Sequence, residues 1–294
     1  MTYHKSVLVR EVVQALALKP GGTYVDATFG GGGHTRALLE ADPTVTVIAL
    51  DWDTVALEKN GAPLQELYPD RLKLMWGNFA QIDRLLKREG IEKVDGILAD
   101  FGTSQYQLHE RAGFSFHKDS PLDMRMSPSH RKITAAELLN KASEEKLTSI
   151  FRELGQEPKA RLIARAIVVE RQKSPFKTTL QLSKLVERLI SRHGRTTHPA
   201  TKIFQALRIF INQELDNIHA FLINGTKMLA PNGRLVCISF HSLEDRIVKQ
   251  FFKKQQAEEP YMRLISDGPI EANAEEVAQN PSSRSAKLRV AERV

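Results

Sequence analysis

The sequence predicts an α/β fold in which a parallel sheet is interrupted by an all-helical insertion. Three observations carry this. Short β-rich runs alternate with helically spaced segments over roughly the first hundred residues, the next stretch of similar length contains no strand-grade run, and strand character then returns at 233–240.

The elements follow in order. "TYVDAT" (23–28), "VTVIALD" (45–51), "LKLMWG" (72–77) and "VDGILAD" (94–100) are bounded, β-rich runs. Between them "HTRALLEA", "TVALEKNGAPLQEL" and "FAQIDRLLKREG" repeat apolar residues at helical spacing. This βαβαβ order implies parallel strands joined by right-handed crossovers. After residue 101 the helical patterns are broken at Pro128, Gly155, Pro175 and Gly194, and one long pattern runs from Ala200 to Leu229. "GRLVCISF" (233–240) re-enters the sheet, and the tail from Glu258 reads as extended segments with a basic end. The expected organisation is a first sheet segment (1–108), a helical domain (109–207) and a second sheet segment with a basic tail (208–294).

Composition narrows the class. Hydrophobic residues make up 41% and charged residues 26%, ordinary for a folded domain, and no run of about 18 apolar residues suggests a membrane span. Charges interrupt the N-terminal apolar run, which argues against a signal peptide, and the lone Cys237 cannot form an internal disulfide. A cytoplasmic protein is expected. Lys plus Arg exceed Asp plus Glu by 42 − 35 = 7, and residues 155–208 concentrate the excess, with 12 Lys or Arg against 3 Glu. Such a surplus suits a polyanion, the alternative being a solvated helical face. The nine histidines show no metal-ligand spacing, and one cysteine cannot build a structural zinc site, so no metal is expected.

The glycine run in "YVDATFGGGGHTRALL" (24–39) lies at the carboxyl end of the first strand, where open parallel sheets bind ligands. A P-loop would need Lys-Ser/Thr after its last glycine, and the chain supplies His34 and Thr35. A dinucleotide fingerprint needs a third glycine or alanine in register, and Thr35 or Arg36 stands there. A nucleoside ligand without pyrophosphate remains. Asp51 ends the second strand, 18 residues after Gly33, where an acid can accept from ribose hydroxyls. Phe79 follows the third strand and suits an adenine platform, with core packing as its alternative, and Asp100 ends the fourth strand. This set describes S-adenosylmethionine better than a dinucleotide.

The linked motifs "DATFGGGGHTRALL", "DGILADFGTSQYQL", "RAGFSF", "PLDMRM", "HPATKIFQALRIFINQEL", "GRLVCISFHSLEDRIVK" and "NPSSRSAKLR" resemble, nearly end to end, the MraW (RsmH) methyltransferase family. The resemblance implies N4-methylation of a specific cytidine of 16S ribosomal RNA, in the P-site/decoding region of the small subunit, with the assembled subunit as partner. It also implies an S-adenosylmethionine-dependent, Rossmann-like methyltransferase sheet with an inserted all-helical domain, and S-adenosylmethionine contacts at Gly32, Gly33, His34, Asp51, Phe79, Asp100 and Gln107. Three departures stand out: Gln105 and Tyr106 replace a serine and a proline in "DFGTSQYQ", "GQE" (155–157) replaces glycine-glutamate-glutamate, and "NPSSRSAKLR" has lost one cation of the family's tail motif.

Methylating an exocyclic amine requires the nitrogen lone pair to be aimed at the donor methyl, so positioning supplies much of the rate. Nearby acceptors would orient the amino hydrogens and take the released proton. The slot after the fourth strand reads Asp100-Phe101-Gly102-Thr103 rather than the Pro-Pro-aromatic motif of DNA amino-methyltransferases, so acceptors are expected elsewhere. Asp123 of "PLDMRM" and the loop Ser239-Phe240-His241 are the candidates for the target-base pocket, with Asp123 and His241 as the candidate catalytic residues. For Asp123 the competing roles are an ion pair with Arg125 or a helix cap. An extruded base could stack on Phe114, Phe116 or Phe240. Two other classes stay open: a non-catalytic RNA-binding assembly factor on the same fold, and a methyltransferase of DNA cytosine or protein.

Overall fold

The structure is a computed structural model that describes residues 6–102, 112–116, 118–129, 131–190, 198–259 and 261–294. The chain divides into two compact units, one formed by Met1–Ser104 with Leu215–Val294 and the other by Gln105–Glu214.

In the first unit, β1 (Thr23–Asp26), β2 (Thr46–Asp51), β3 (Leu72–Trp76), β4 (Val94–Asp100) and β5 (Leu229–Ser239) pair in parallel in the order β3-β2-β1-β4-β5. Helices α1 (Val9–Leu16), α2 (Gly33–Ala41), α3 (Thr54–Ala56), α4 (Ala62–Leu67) and α5 (Ile82–Arg88) precede or connect them, and a single π turn (Leu57–Gly61) joins α3 to α4. The inner strands are apolar almost throughout because both faces are covered. Successive residues point to opposite faces. Val25, Ile48, Leu50, Leu235 and Cys237 enter one apolar cluster, and Tyr24, Val47, Ala49, Val236 and Ile238 enter the other. Each buried Leu, Ile or Phe contributes about 1.5–3 kcal/mol relative to exposure, so a one-residue slip of any inner strand would exchange both clusters at once.

The sheet is not purely parallel. The tail expected to be extended contains β6 (Met262–Leu264), β7 (Ile270–Glu271) and β8 (Lys287–Arg293). β8 pairs antiparallel with β5 on one side and with β6 and β7 on the other. Polar anchors fix its register: Arg234 on β5 donates to Glu292 at 2.9 Å, and Arg289 donates to Asp245 at 2.7 Å.

The second unit holds the helices α6 (Ala135–Lys141), α7 (Glu144–Glu153), α8 (Ala160–Lys173), α9 (Thr179–Leu189) and α10 (Thr201–Asn212). Its own core includes Leu139, Leu147, Phe151, Ile163, Ile167, Val186, Ile203 and Leu207, all fully buried. Thr134 with Glu137, and Thr178 with Gln181, form reciprocal capping boxes at the starts of α6 and α9. The helical pattern expected to run unbroken from Ala200 to Leu229 is two helices. Gln213 adopts φ 51° and ends α10, and α11 (Glu214–Met228) begins at the next residue. Asn212 reinforces the break, accepting from Met126 N–H and donating to the Met124 carbonyl, each at 2.8 Å. The apolar residues of α10 therefore pack in the helical unit and those of α11, such as Phe221 and Leu222, in the sheet unit. This puts the observed boundaries at 104/105 and 214/215, against the expected 108/109 and 207/208.

After β5, helix α12 (Ser242–Gln255) folds back against the sheet through Val248 and Phe252. The short α13 (Ala274–Gln279) precedes β8. Among the described residues no helix is long and apolar enough to cross a membrane.

Candidate active site

The carboxyl ends of the parallel strands gather a set of buried polar groups. β1 ends in Asp26, which is completely buried and accepts from the Thr35 hydroxyl at 2.7 Å and from Thr28 N–H at 3.2 Å. The Thr28 hydroxyl in turn accepts from Asp100 N–H at 2.7 Å, so it ties the ends of β1 and β4 together. Burial raises the Asp26 pKa above the ordinary carboxyl range, a shift that His34 and the Thr35 hydrogen bond oppose.

The turn from β1 to α2 is set by its glycines. Gly32 has φ 76°, and a Cβ there would lie 2.8 Å from the Phe29 ring, so position 32 admits only glycine without rearrangement. A Cβ at Gly33 would lie 2.3 Å from Ser6 Oγ. The segment before α1 therefore rests directly on the turn. His34 secures that segment through a hydrogen bond between Nε2 and the Val7 carbonyl at 2.8 Å. Because a carbonyl only accepts, Nε2 carries the proton, which leaves Nδ1 facing Asp100 Oδ2 at 3.9 Å.

Asp51 at the end of β2 accepts from Gly30 N–H through Oδ2 and from Asp53 N–H through Oδ1, both at 2.8 Å. Burial pushes its pKa up to about 6 against these two hydrogen bonds. At the end of β4, burial raises Asp100 to about 7; His34 opposes the shift while Asp26 and Glu244 add to it. Asp100 Oδ1 is buried and makes no hydrogen bond among the described residues. A buried carboxylate oxygen left open in this way is costly unless a ligand completes it.

Gly32, Gly33, His34, Asp51 and Asp100 thus lie along one edge of the sheet. Phe79 follows β3 after Asn78, whose side chain caps the turn by accepting from Ala80 N–H at 2.9 Å. The Phe79 ring packs edge-on against Phe221 at 5.5 Å and tilted against Phe101 and Trp52, at 5.9 and 6.5 Å. It is partly buried, so core packing takes part of the ring. Gln107 lies outside the described residues.

The two candidates for the base pocket belong to separate units. Asp123, in the helical unit, is held on both oxygens by Arg125, through Nε at 2.7 Å and Nη2 at 2.8 Å, so the ion pair is realised. His241, in the sheet unit, caps α12: Nδ1 accepts from Glu244 N–H at 3.4 Å, and Nε2 lies 3.2 Å from Glu244 Oε1. Of the proposed stacking residues, Phe116 is stacked on His198 at 4.4 Å and meets Phe204 edge-on, and Phe114 is buried.

Sequence reading passed over Asp26, Thr28, Thr35 and Glu244. The first three sit in "DATFGGGGHT", where a carboxylate at the strand end with hydroxyls two and nine residues later was the available signal. Glu244 carried a capping signal, three residues after His241.

These groups fit a nucleoside carrying an ammonium. Each Asp51 oxygen keeps an acceptor position beyond its backbone bond, suited to vicinal ribose hydroxyls, and the open Asp100 oxygen suits a cationic amine. A turn that tolerates no side chain at Gly32 lets a ligand approach the backbone closely.

Comparison with known proteins agrees. The family model described as the MraW methylase family matches residues 1–294. The chain is 46% identical to the ribosomal RNA small subunit methyltransferase H of Thermomicrobium roseum, over 100% of this chain and 94% of the relative. It is 44% identical to the protein of that name from Methylobacterium nodulans (100% and 91%) and 46% identical to that of a Cyanothece species (99% and 95%). An α/β sheet with a nucleoside-competent edge, matched from its first residue to its last, means that this chain belongs to the MraW methylase family.

Proposed function

We propose that the protein N4-methylates a specific cytidine of 16S ribosomal RNA, in the P-site/decoding region, acting on the small subunit in the cytoplasm. The observation that carries the reading is 44–46% identity, over essentially the whole chain, to relatives named for the small-subunit RNA. The cytidine N4 follows from the resemblance of the linked motifs.

S-adenosylmethionine, when bound, supplies a sulfonium-activated methyl group. The chain's residues do the rest by binding and orientation. Asp51 accepts from the ribose hydroxyls, Asp100 balances the methionine ammonium, and Gly32 and Gly33 keep the turn free of side chains. His34 holds the preceding segment against that turn. Phe79 presents its remaining surface to the adenine. Asp123 and His241 are each retained as candidates for polar contact with the target base, the one held within its unit by Arg125 and the other by its role as cap of α12.

Incubating small and large subunits from cells lacking the protein with it and methyl-labelled S-adenosylmethionine tests the reading. Label should enter only 16S RNA; label in large-subunit RNA, DNA or protein would refute it. Asp123→Asn and His241→Ala should each slow single-turnover transfer by about tenfold or more, and full rates in both would remove these residues as candidates for contact with the base.

A further inference from the structure

The concentration of cations noted in the sequence lies in the helical insertion. The structure reveals a second one on the sheet unit, along α12. This helix starts directly after β5, whose Ile238 pairs with Asp100, so its first turn stands at the edge that carries the site. One face, with Glu244, Val248, Phe252 and Gln255, is buried. The opposite face exposes Arg246, Lys249, Gln250, Lys253 and Lys254.

The acids of the helix are already engaged. Glu244 is buried and accepts from Phe240 N–H at 2.8 Å, and Asp245 is paired with Arg289 at 2.7 Å. Lys254 meets Glu258 at 3.2 Å. Arg246, Lys249 and Lys253 have no acidic partner among the described residues. Their i, i+3, i+7 spacing places them within about 60° of one another and over about 10 Å of helix axis. Like charges at i, i+3 and i, i+4 disfavour a helix on its own. On α6 Lys141 pairs with Glu137, and α7 interleaves Glu144, Glu145 and Glu153 with Lys146 and Arg152; α5 also exposes three cations, Arg84, Lys87 and Arg88, but it follows β3 rather than β5 and Arg88 meets Glu89 at 3.7 Å.

We propose that this face of α12 holds consecutive backbone phosphates of the RNA strand flanking the methylated nucleotide. A row of fixed cations at helical rise, starting beside the site, suits a polyanion strand. A lipid surface fits less well, because Val248 and Phe252 are buried in the sheet unit and Ile247 and Phe251 partly so, which leaves no free apolar side to insert. The inference rests on the reading of ribosomal RNA as substrate and adds to it which surface of the sheet unit grips the strand.

The test compares two triple variants of the full chain, Arg246→Ala/Lys249→Ala/Lys253→Ala and Arg84→Ala/Lys87→Ala/Arg88→Ala, the second removing equal charge from α5. Binding to small-subunit particles is measured between about 50 and 200 mM salt, together with S-adenosylmethionine affinity. The α12 triple should weaken particle binding by on the order of 10–100-fold and reduce the salt slope by about 2, as expected for three lost contacts at about 0.7 each. The α5 triple should change neither by more than about twofold, and cofactor affinity should persist in both. Equal effects of the two triples, or an unchanged slope in the α12 triple, would overturn the inference. If wild-type protein fails to bind or methylate the particles at all, the substrate reading falls and this inference with it. Binding and methylation by wild type with an unaltered α12 triple would sink this inference alone.

Discussion

Asp51→Asn should gain stability relative to wild type as pH rises and be nearly useless to its cofactor. Burial holds the Asp51 carboxyl at about 6 against an ordinary 3.8, so folding favours its protonated form. A group whose pKa is raised by folding destabilises progressively as pH climbs from the unfolded to the folded value. The gap of about 2.2 units, at about 1.36 kcal/mol per unit, puts about 3 kcal/mol of destabilisation on the wild type above pH 6. Asparagine has the neutrality of the protonated acid but only one accepting oxygen, so its Nδ2 must face the N–H of Gly30 or of Asp53 and one backbone bond is lost, at about 1–3 kcal/mol. The variant should therefore lie about 1–3 kcal/mol below wild type near pH 4 and gain up to about 3 kcal/mol relative to it between pH 4 and pH 8 in denaturant unfolding. Cofactor affinity should move the other way. Two hydrogen bonds from ribose hydroxyls to a charged acceptor, at about 1.5–3 kcal/mol each, give a loss of at least about a hundredfold by calorimetry at pH 8. S-adenosylmethionine binding within threefold of wild type, or a stability difference independent of pH, would refute the reasoning.

Three further outcomes are expected. Asp100, raised to about 7, must be ionised to balance an ammonium, so cofactor affinity should rise about tenfold from pH 6 to pH 8 and then level off; Asp100→Asn should bind weakly with no such slope. Gly33→Ala should destabilise by about 1–3 kcal/mol through collision with Ser6, and adding Ser6→Gly should restore most of the loss; equal stability of the single and double variants would exclude that contact as the cause. Thr35→Val removes the hydroxyl donor to buried Asp26 and should lower stability by about 1–3 kcal/mol, read by chemical unfolding.

Much of this architecture was legible because its signals are local. Strands β1 to β4 are β-rich runs with turn residues at their ends, and Asp51 and Asp100 declare themselves as acids closing such runs. The break at Gln213 was not legible, since glutamine carries no preference for the left-handed backbone it adopts there. Nor was the antiparallel seating of β8 against β5, because "KLRVAER" pairs with a strand far away in sequence and nothing local marks the direction. At the site, Thr28 and Thr35 look like ordinary turn and helix residues until the fold brings them to Asp26 and Asp100. Asp123 shows the opposite case: Arg125 is two residues away, and the ion pair weighed from the sequence is the one observed.

The central claim is that this chain moves a methyl group onto a cytidine amine of the small subunit. Nucleoside mass spectrometry of small subunits from cells lacking the protein, before and after incubation with it and S-adenosylmethionine, tests it most directly. The account predicts that N4-methylcytidine appears only after incubation. Particles that bind the protein and cofactor but yield a different methylated nucleoside, or none, would contradict it.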